Sequence, residues 1–258
     1  MPAAAENAIP TIRIAAAAPV GARTGAATRC SSCHLRDLCL PSGMNDAETE
    51  WIDRMTIGRR HVNAGQTLYR EGERFQFIYA VRGGTFKSSV SLADGREHIC
   101  GLHMSGELMG LDGIANGTHA STATALEDTE ICSIPYARLN EESGRSANMQ
   151  RMVNRLMSRE IVREHSLMML LGSMNAEERL ATFLLNLSKR LRARGYSPNE
   201  FHLRMSRAEI GSYLGMKLET VSRTFSAFQQ QGLMEVDKRH IRITDIDALQ
   251  RAFDAPVH

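Results

Sequence analysis

The chain has 258 residues, 43% of them apolar and 23% charged, with a formal net charge of +2. That length supports one large or two ordinary domains, and the composition is that of a globular protein rather than a fibre or a long disordered tail. No window approaches the ~18 consecutive apolar residues of a membrane span, and so small a net charge identifies no polyanionic partner unless a local basic patch does.

Residues 1–29 are Ala-rich, with Pro2, Pro10, Pro19 and Gly21, and read as a disordered arm without helix caps or sustained periodicity. No basic stretch precedes their short apolar run, so a signal peptide is not indicated and a cytoplasmic, thiol-reducing setting is expected. Three of the five cysteines then fall within ten residues, Cys30, Cys33 and Cys39 in RCSSCHLRDLCLP; the others are Cys100 and Cys132. Thiols crowded in this way point to a metal centre on segment 30–45. A Cys-x2-Cys pair alone serves zinc, redox or iron–sulfur chemistry. The x5 gap to the third cysteine and the lack of a second pair argue against a zinc ribbon, and a distant fourth cysteine would complete an iron–sulfur site. Cys100 and Cys132 both lie in predicted strands, and spacing does not choose between them.

From Ile57 to Pro135 short β-compatible runs alternate with glycine: Val62, Leu68, Phe77–Val81, Phe86–Val90, His98–Leu102 and Glu130–Ile134, with a hairpin turn at Ala93-Asp94-Gly95. Many short strands at close intervals predict a barrel or jelly roll. Helix follows. Residues 146–171 contain no Pro or Gly, and Val153, Met157, Ile161, Met168 and Leu171 form an apolar stripe interrupted by Glu164. A second helix opens at Asn175, capped with Glu178, and stops at Gly195. Ser206 caps a short helix through Ile210 and Leu214, Gly215 makes the turn, and another helix runs from about Leu218 to Gln231. A small hairpin with Asp237-Lys238-Arg239 at its tip completes a winged helix-turn-helix.

In MKLETVSRTFSAFQQQGL, Leu218, Val221, Phe225 and Phe228 share the face expected to pack on Ile210 and Leu214, and Glu219, Ser222, Arg223 and Ser226 share the opposite face. Arg donates two hydrogen bonds to guanine and Glu accepts one from cytosine, each good contact giving about 1–3 kcal/mol of discrimination. Lys217, Lys238 and Arg239 are candidates for phosphate contacts. The competing reading is that Glu219 and Arg223, at i and i+4, merely pair on a solvated surface.

Five segments carry a family resemblance: the Cys-x2-Cys-x5-Cys run, SGELMGLDGIANGTHAS, ALEDTEICSIP, NAEERLATFLLNLSKR and IGSYLGMKLETVSR, together spanning roughly residues 28–245. The chain resembles the cAMP-receptor-protein superfamily, and within it the oxygen-sensing FNR branch (fumarate and nitrate reductase regulators). The resemblance implies an α+β fold: an N-terminal β-roll (jelly-roll, cyclic-nucleotide-binding-like) sensor domain over 46–145, a long dimerisation helix over 146–172 and a C-terminal winged helix-turn-helix over 173–250. It implies a 4Fe-4S cluster on Cys30, Cys33, Cys39 and Cys132, the ICSIP context selecting Cys132 and leaving Cys100 to packing. It implies double-stranded DNA as partner, a TTGAT-N4-ATCAA-like palindrome read by Glu219, Ser222 and Arg223 with Thr220 and Lys217 beside them. RNA polymerase would be met from the β-roll surface, with loops such as Asp94-Gly95-Arg96 as candidates.

One departure is informative. Cyclic-nucleotide binders of the superfamily place an Arg-Ser/Thr pair after Gly-Glu-Leu to clamp phosphate, whereas this chain has Gly106-Glu107-Leu108 followed by Thr118-His119-Ala120-Ser121. No cyclic nucleotide is expected, and the Gly-Glu-Leu turn reads as structural. The stripe Val153, Met157, Ile161, Glu164, Met168, Leu171 reads as the seam of a parallel homodimer, where facing Glu164 carboxylates repel by about 1 kcal/mol at high dielectric. An intact cluster near Met152–Ile161 would offset that repulsion. The alternatives are a winged-helix regulator of the same superfamily with a zinc or thiol redox centre, or a small-ligand sensor. Nothing in the chain resembles a nucleophile–base constellation, so an enzyme is not expected.

Overall fold

The computed structural model describes residues 29–55, 58–144 and 146–253; the N-terminal arm expected over 1–29 lies outside these residues apart from Arg29. Helix α1 (Asp46–Arg54) opens with a capping box in which Asn45 and Glu48 bond each other's backbone. The glycine-punctuated runs then form eight strands: β1 (Gly58–Val62), β2 (Thr67–Tyr69), β3 (Phe77–Gly83), β4 (Thr85–Ser91), β5 (Glu97–Met104), β6 (Leu108–Met109), β7 (Thr122–Ala125) and β8 (Thr129–Pro135). They pair antiparallel in two four-stranded sheets, ordered β1-β8-β3-β6 and β2-β7-β4-β5. Alternation along the strands turns Val62, Val81, Phe86, Met109, Ala123 and Ile131 inward to form the core of this roll.

Six helices and a small sheet follow: α2 (Tyr136–Ser143), α3 (Ala147–Ser173), α4 (Ala176–Ala193), β9 (Glu200–His202), α5 (Arg207–Leu214), α6 (Leu218–Gln230), β10 (Met234–Asp237), β11 (His240–Ile243) and the last helix, α7 (Ile246–Phe253). Ser146 caps α3, and the expected Asn175–Glu178 box opens α4 two residues after α3 ends. Arg179 secures this joint by donating to the carbonyls of Leu171 at 2.7 Å, Met174 at 2.8 Å and Leu214 at 3.0 Å. Those carbonyls belong to the C-terminal ends of two helices, α3 and α5, where backbone acceptors lack intrahelical partners.

Within its own chain α3 buries the stripe next to the one read as a dimer seam. Met149, Met152, Leu156 and Leu170 are buried, whereas Ile161 is 54% and Met168 66% exposed. The two stripes lie about 100° apart around a helix of 3.6 residues per turn. Met149, Met152 and Leu156 share a core with Leu40 and Met44 of the cysteine segment, Ile52 of α1, Ile78 and Ala80 of β3 and Ile134 of β8. A buried side chain of this size contributes about 1.5–3 kcal/mol, so the cysteine segment is held by several such increments.

A third core joins the two ends of the chain. Ile99, Leu102 and Met104 of β5 pack with Leu184 and Leu187 of α4, Ile210 and Leu214 of α5 and Phe225 and Phe228 of α6. Polar contacts reinforce it: Ser212 Oγ accepts from the Ile99 amide at 2.9 Å, and Lys87 Nζ bridges Glu97 at 3.4 Å and Glu209 at 3.1 Å. Glu107, in the Gly-Glu-Leu turn, receives Arg190 at 2.6 Å and Arg194 at 2.6 Å from α4, with Arg163 of α3 at 3.8 Å. Burial alone would push that carboxyl up, yet Arg190, Arg163 and Arg194 together hold it down at about 2.

Candidate metal centre and nucleic-acid interface

The cysteine segment is a chain of tight turns: the amides of Cys33, Arg36 and Cys39 donate to the carbonyls of Cys30, Cys33 and Leu35. Its start is pinned by Asp53 of α1, which accepts from the amides of Cys30 and Ser31 and from the Ser31 hydroxyl. Its end is pinned by α3, where Arg155 donates to the Ser42 carbonyl at 3.2 Å and Arg159 to the Ser42 hydroxyl at 3.3 Å. Leu35 and Leu40 are buried beneath it. Neither Asp53 nor Ser42 stood out in the sequence, because their roles are long-range contacts with no local signature.

These attachments set Cys30, Cys33 and Cys39 against Cys132 of β8, and the four half-buried thiols line one pocket with Arg36, Arg82, Leu35 and Ala80. Burial pushes the Cys30 and Cys39 thiols up to about 12, and the other cysteines of the set add repulsion. Burial raises Cys132 as well, against the pull of Arg82. Among the described residues no three or more His, Cys, Asp or Glu side chains are arranged to hold a single metal ion. Four thiolates on one zinc at 2.3 Å would stand only about 3.8 Å apart. Cys100 lies elsewhere, its Sγ 3.6 Å from Ser88 Oγ.

A separate cavity of about 560 Å³ lies between the roll and α3. Its lining includes Cys100, His103, Asp112, Glu160 and Glu164, with Met157, Ile161 and Met168 from the predicted seam, and no arginine or lysine. His103 is buried with Nε2 3.0 Å from Ser88 Oγ, and desolvation pulls it down to about 3. His119, in the Thr118–Ser121 stretch, is stacked on Tyr69 with ring centroids 3.8 Å apart.

At the other end, Ser206 and Glu209 cap α5, and Gly215 turns the chain at φ 62°, a conformation that favours glycine. A Cβ on Gly211 would lie 2.6 Å from the Met216 carbonyl, so the turn also needs glycine inside α5. Val221, Phe225 and Phe228 pack inward, with Thr224 as a fourth. Leu218 departs from the expectation: it is 46% exposed, because it is the first residue of α6 and precedes the turn that meets α5. Lys217, Glu219, Ser222 and Arg223 are exposed and Thr220 half-buried. Neither a hydrogen bond nor an ion pair joins Glu219 to Arg223, so both side chains are available on the outer face. The wing turns at Lys238, φ 53°, whose carbonyl accepts from Arg207 at 3.0 Å.

Residues 178–252 match the Crp-like helix-turn-helix domain, and residues 59–146 match the cyclic nucleotide-binding domain. The transcriptional regulatory protein btr of Bordetella pertussis is 44% identical over 225 residues, 87% of this chain and 93% of that one. The chain belongs to the CRP/FNR family of transcription regulators. The fumarate and nitrate reduction regulatory protein of Escherichia coli K12 is 41% identical over 87% of this chain and 90% of its own. The solved structure of FixK2 from Bradyrhizobium japonicum superposes on this regulator with a TM-score of 0.71 at 30% identity, covering 78% of this chain and 99% of that one. The regulator's helix-turn-helix is thus a DNA-binding unit, and the relatives are regulators rather than enzymes. No helix among the described residues is long and apolar enough to cross a membrane.

Proposed function

We propose that this CRP/FNR regulator is oxygen-responsive, holding an oxygen-labile 4Fe-4S cluster on Cys30, Cys33, Cys39 and Cys132 and binding a TTGAT-N4-ATCAA-like palindrome as a homodimer without oxygen. The observation that carries the reading is the convergence of four thiols, three from one segment and one from β8, on a single pocket. The donor set fits the group: thiolates are the usual ligands of such clusters, and irons and sulfides between them demand wider spacing than one ion does. When bound, the cluster supplies an oxygen-reactive charge centre. The chain's own residues do the rest. Asp53 and Ser42 fix the two ends of the segment, and Arg155 and Arg159 make the second attachment a contact with α3.

We take residues 30–45 as the cluster-binding segment, 46–145 as sensor, 146–172 as dimerisation helix and 173–250 as reader. Ile161 and Met168, exposed in the single chain, would meet their counterparts in a second copy, with Glu164 between them. Two copies place two α6 helices on half-sites about one helical turn apart. Glu219, Ser222 and Arg223 would read bases, with Lys217 and Thr220 flanking, and the roll surface would touch RNA polymerase. A cyclic nucleotide does not suit the cavity beside α3, whose acidic lining offers a phosphate no arginine or lysine.

Anaerobic purification followed by iron and sulfide analysis, with DNA binding measured before and after air, tests the reading. About four irons per chain, with visible colour and DNA affinity lost together, is the expected result. A colourless protein that binds DNA equally well in air overturns it.

A further inference from the structure

The pocket of four cysteines is electrically lopsided. At the Cys30 edge stands the Asp53 carboxylate, which holds the segment's first amides. At the Cys132 edge stand two guanidiniums. The β1–β8 register sets Arg59 directly across from Cys132, and Arg82 of β3 lines the pocket itself. Both reach for a single acceptor, Glu130 Oε2, at 3.5 Å from Arg59 Nε and 3.6 Å from Arg82 Nε. These are long contacts to a carboxylate that is 47% exposed, and Arg59 Nε is buried without a hydrogen bond. Two cations therefore share one anion, leaving a positive remainder and an orphaned N–H beside Cys132. Arg36, the other charged residue lining the pocket, differs because Asp46 pairs it at 2.8 Å.

Leaving a buried donor unpaired is costly. Four thiolates around a metal–sulfur core make an anionic centre, for which a neighbouring cation and an N–H donor are both favourable. We propose that Arg59 and Arg82 form a cationic edge that balances the charge of the four-thiolate centre, setting its midpoint potential and its hold on iron. This rests on the cluster reading above. The sign follows from charge alone. Reduction adds one electron, so a nearby positive charge favours the reduced form and raises the potential. A positive charge also stabilises thiolate ligands against loss.

The test uses the full-length chain, reconstituted anaerobically, with Arg82→Leu, Arg59→Leu, Arg82→Lys and Glu130→Gln. Two quantities are read: the midpoint potential in a dye-mediated dithionite titration, where dithionite gives one electron to the centre, and the half-life of the visible band under anaerobic chelator. Arg82→Leu and Arg59→Leu should lower the potential and shorten the half-life several-fold. Glu130→Gln, which frees both guanidiniums, should do the opposite, and Arg82→Lys should stay near the parent. Opposed shifts from the Arg and Glu variants separate a charge effect from general damage to the fold, with melting of the metal-free chains as control. Potentials and half-lives unchanged across the set, in a parent holding iron and sulfide, overturn the cationic edge alone. A parent that takes up neither overturns the cluster reading and this inference with it.

Discussion

The two halves of α3 are built for different tasks. The first half spends its apolar residues inside its own chain: Met149, Met152 and Leu156 fill the core under the cysteine segment, and Arg155 and Arg159 grip Ser42. The second half leaves Ile161, Val162, Met168 and Met169 largely in solvent. Between them Arg163 joins the Glu107 cluster that also holds α4. One helix thus has an end whose apolar residues are committed to the sensor and an end that keeps Leu170 in the core but leaves an apolar stripe exposed, which is the arrangement expected if a signal received at the first is read out as pairing at the second.

Glu107→Gln should have the largest effect, about 3–5 kcal/mol of lost stability, since it strands buried arginines at the helix's midpoint. Denaturant melting measures it. The same carboxyl predicts a pH dependence. Its folded value of about 2 lies below the unfolded value near 4.5, so its contribution is whole above about pH 4.5 and is lost as pH falls through about 2. An acid titration of Glu107→Gln should be flatter than the parent's across that window.

Met152→Ala should cost about 2–5 kcal/mol as a core truncation, whereas Met168→Ala should change monomer stability by no more than about 0.5 kcal/mol. Equal losses at the two positions would abolish the distinction between the halves. Glu164→Ala should leave melting nearly unchanged and tighten self-association several-fold in air, read by sedimentation. A variant that stays monomeric refutes the repulsive poise. Arg155→Ala should cost little, at most about 1 kcal/mol in denaturant melting, because its bond to Ser42 is exposed.

What the sequence made legible was local punctuation. Asn175 with Glu178, Ser206 and Gly215 declare their helix ends within four residues, and the structure has caps or turns at each. Strand β7 escaped notice because Thr-Ala-Thr-Ala carries no large apolar residue, and β6 because two residues show no period. The buried stripe of α3 is indistinguishable in sequence from its neighbour, which is equally apolar; only the roll decides which one faces inward. The candidate ligands and base-reading residues were visible as residue types at fixed spacing. Asp53, Glu107 and the Arg59–Arg82 pair were not, for each acts across 20 or more residues, where no periodicity reaches.

The joint after α3 has a mechanical consequence. Only Met174 and Asn175 separate the two helices, and one guanidinium, Arg179, clasps the tail of α3, the linker and the tail of α5 together. A coupling this short stores no slack. Torque applied to α3 has a direct hydrogen-bonded route to α4 and α5, so the reading head is geared to turn with the shaft.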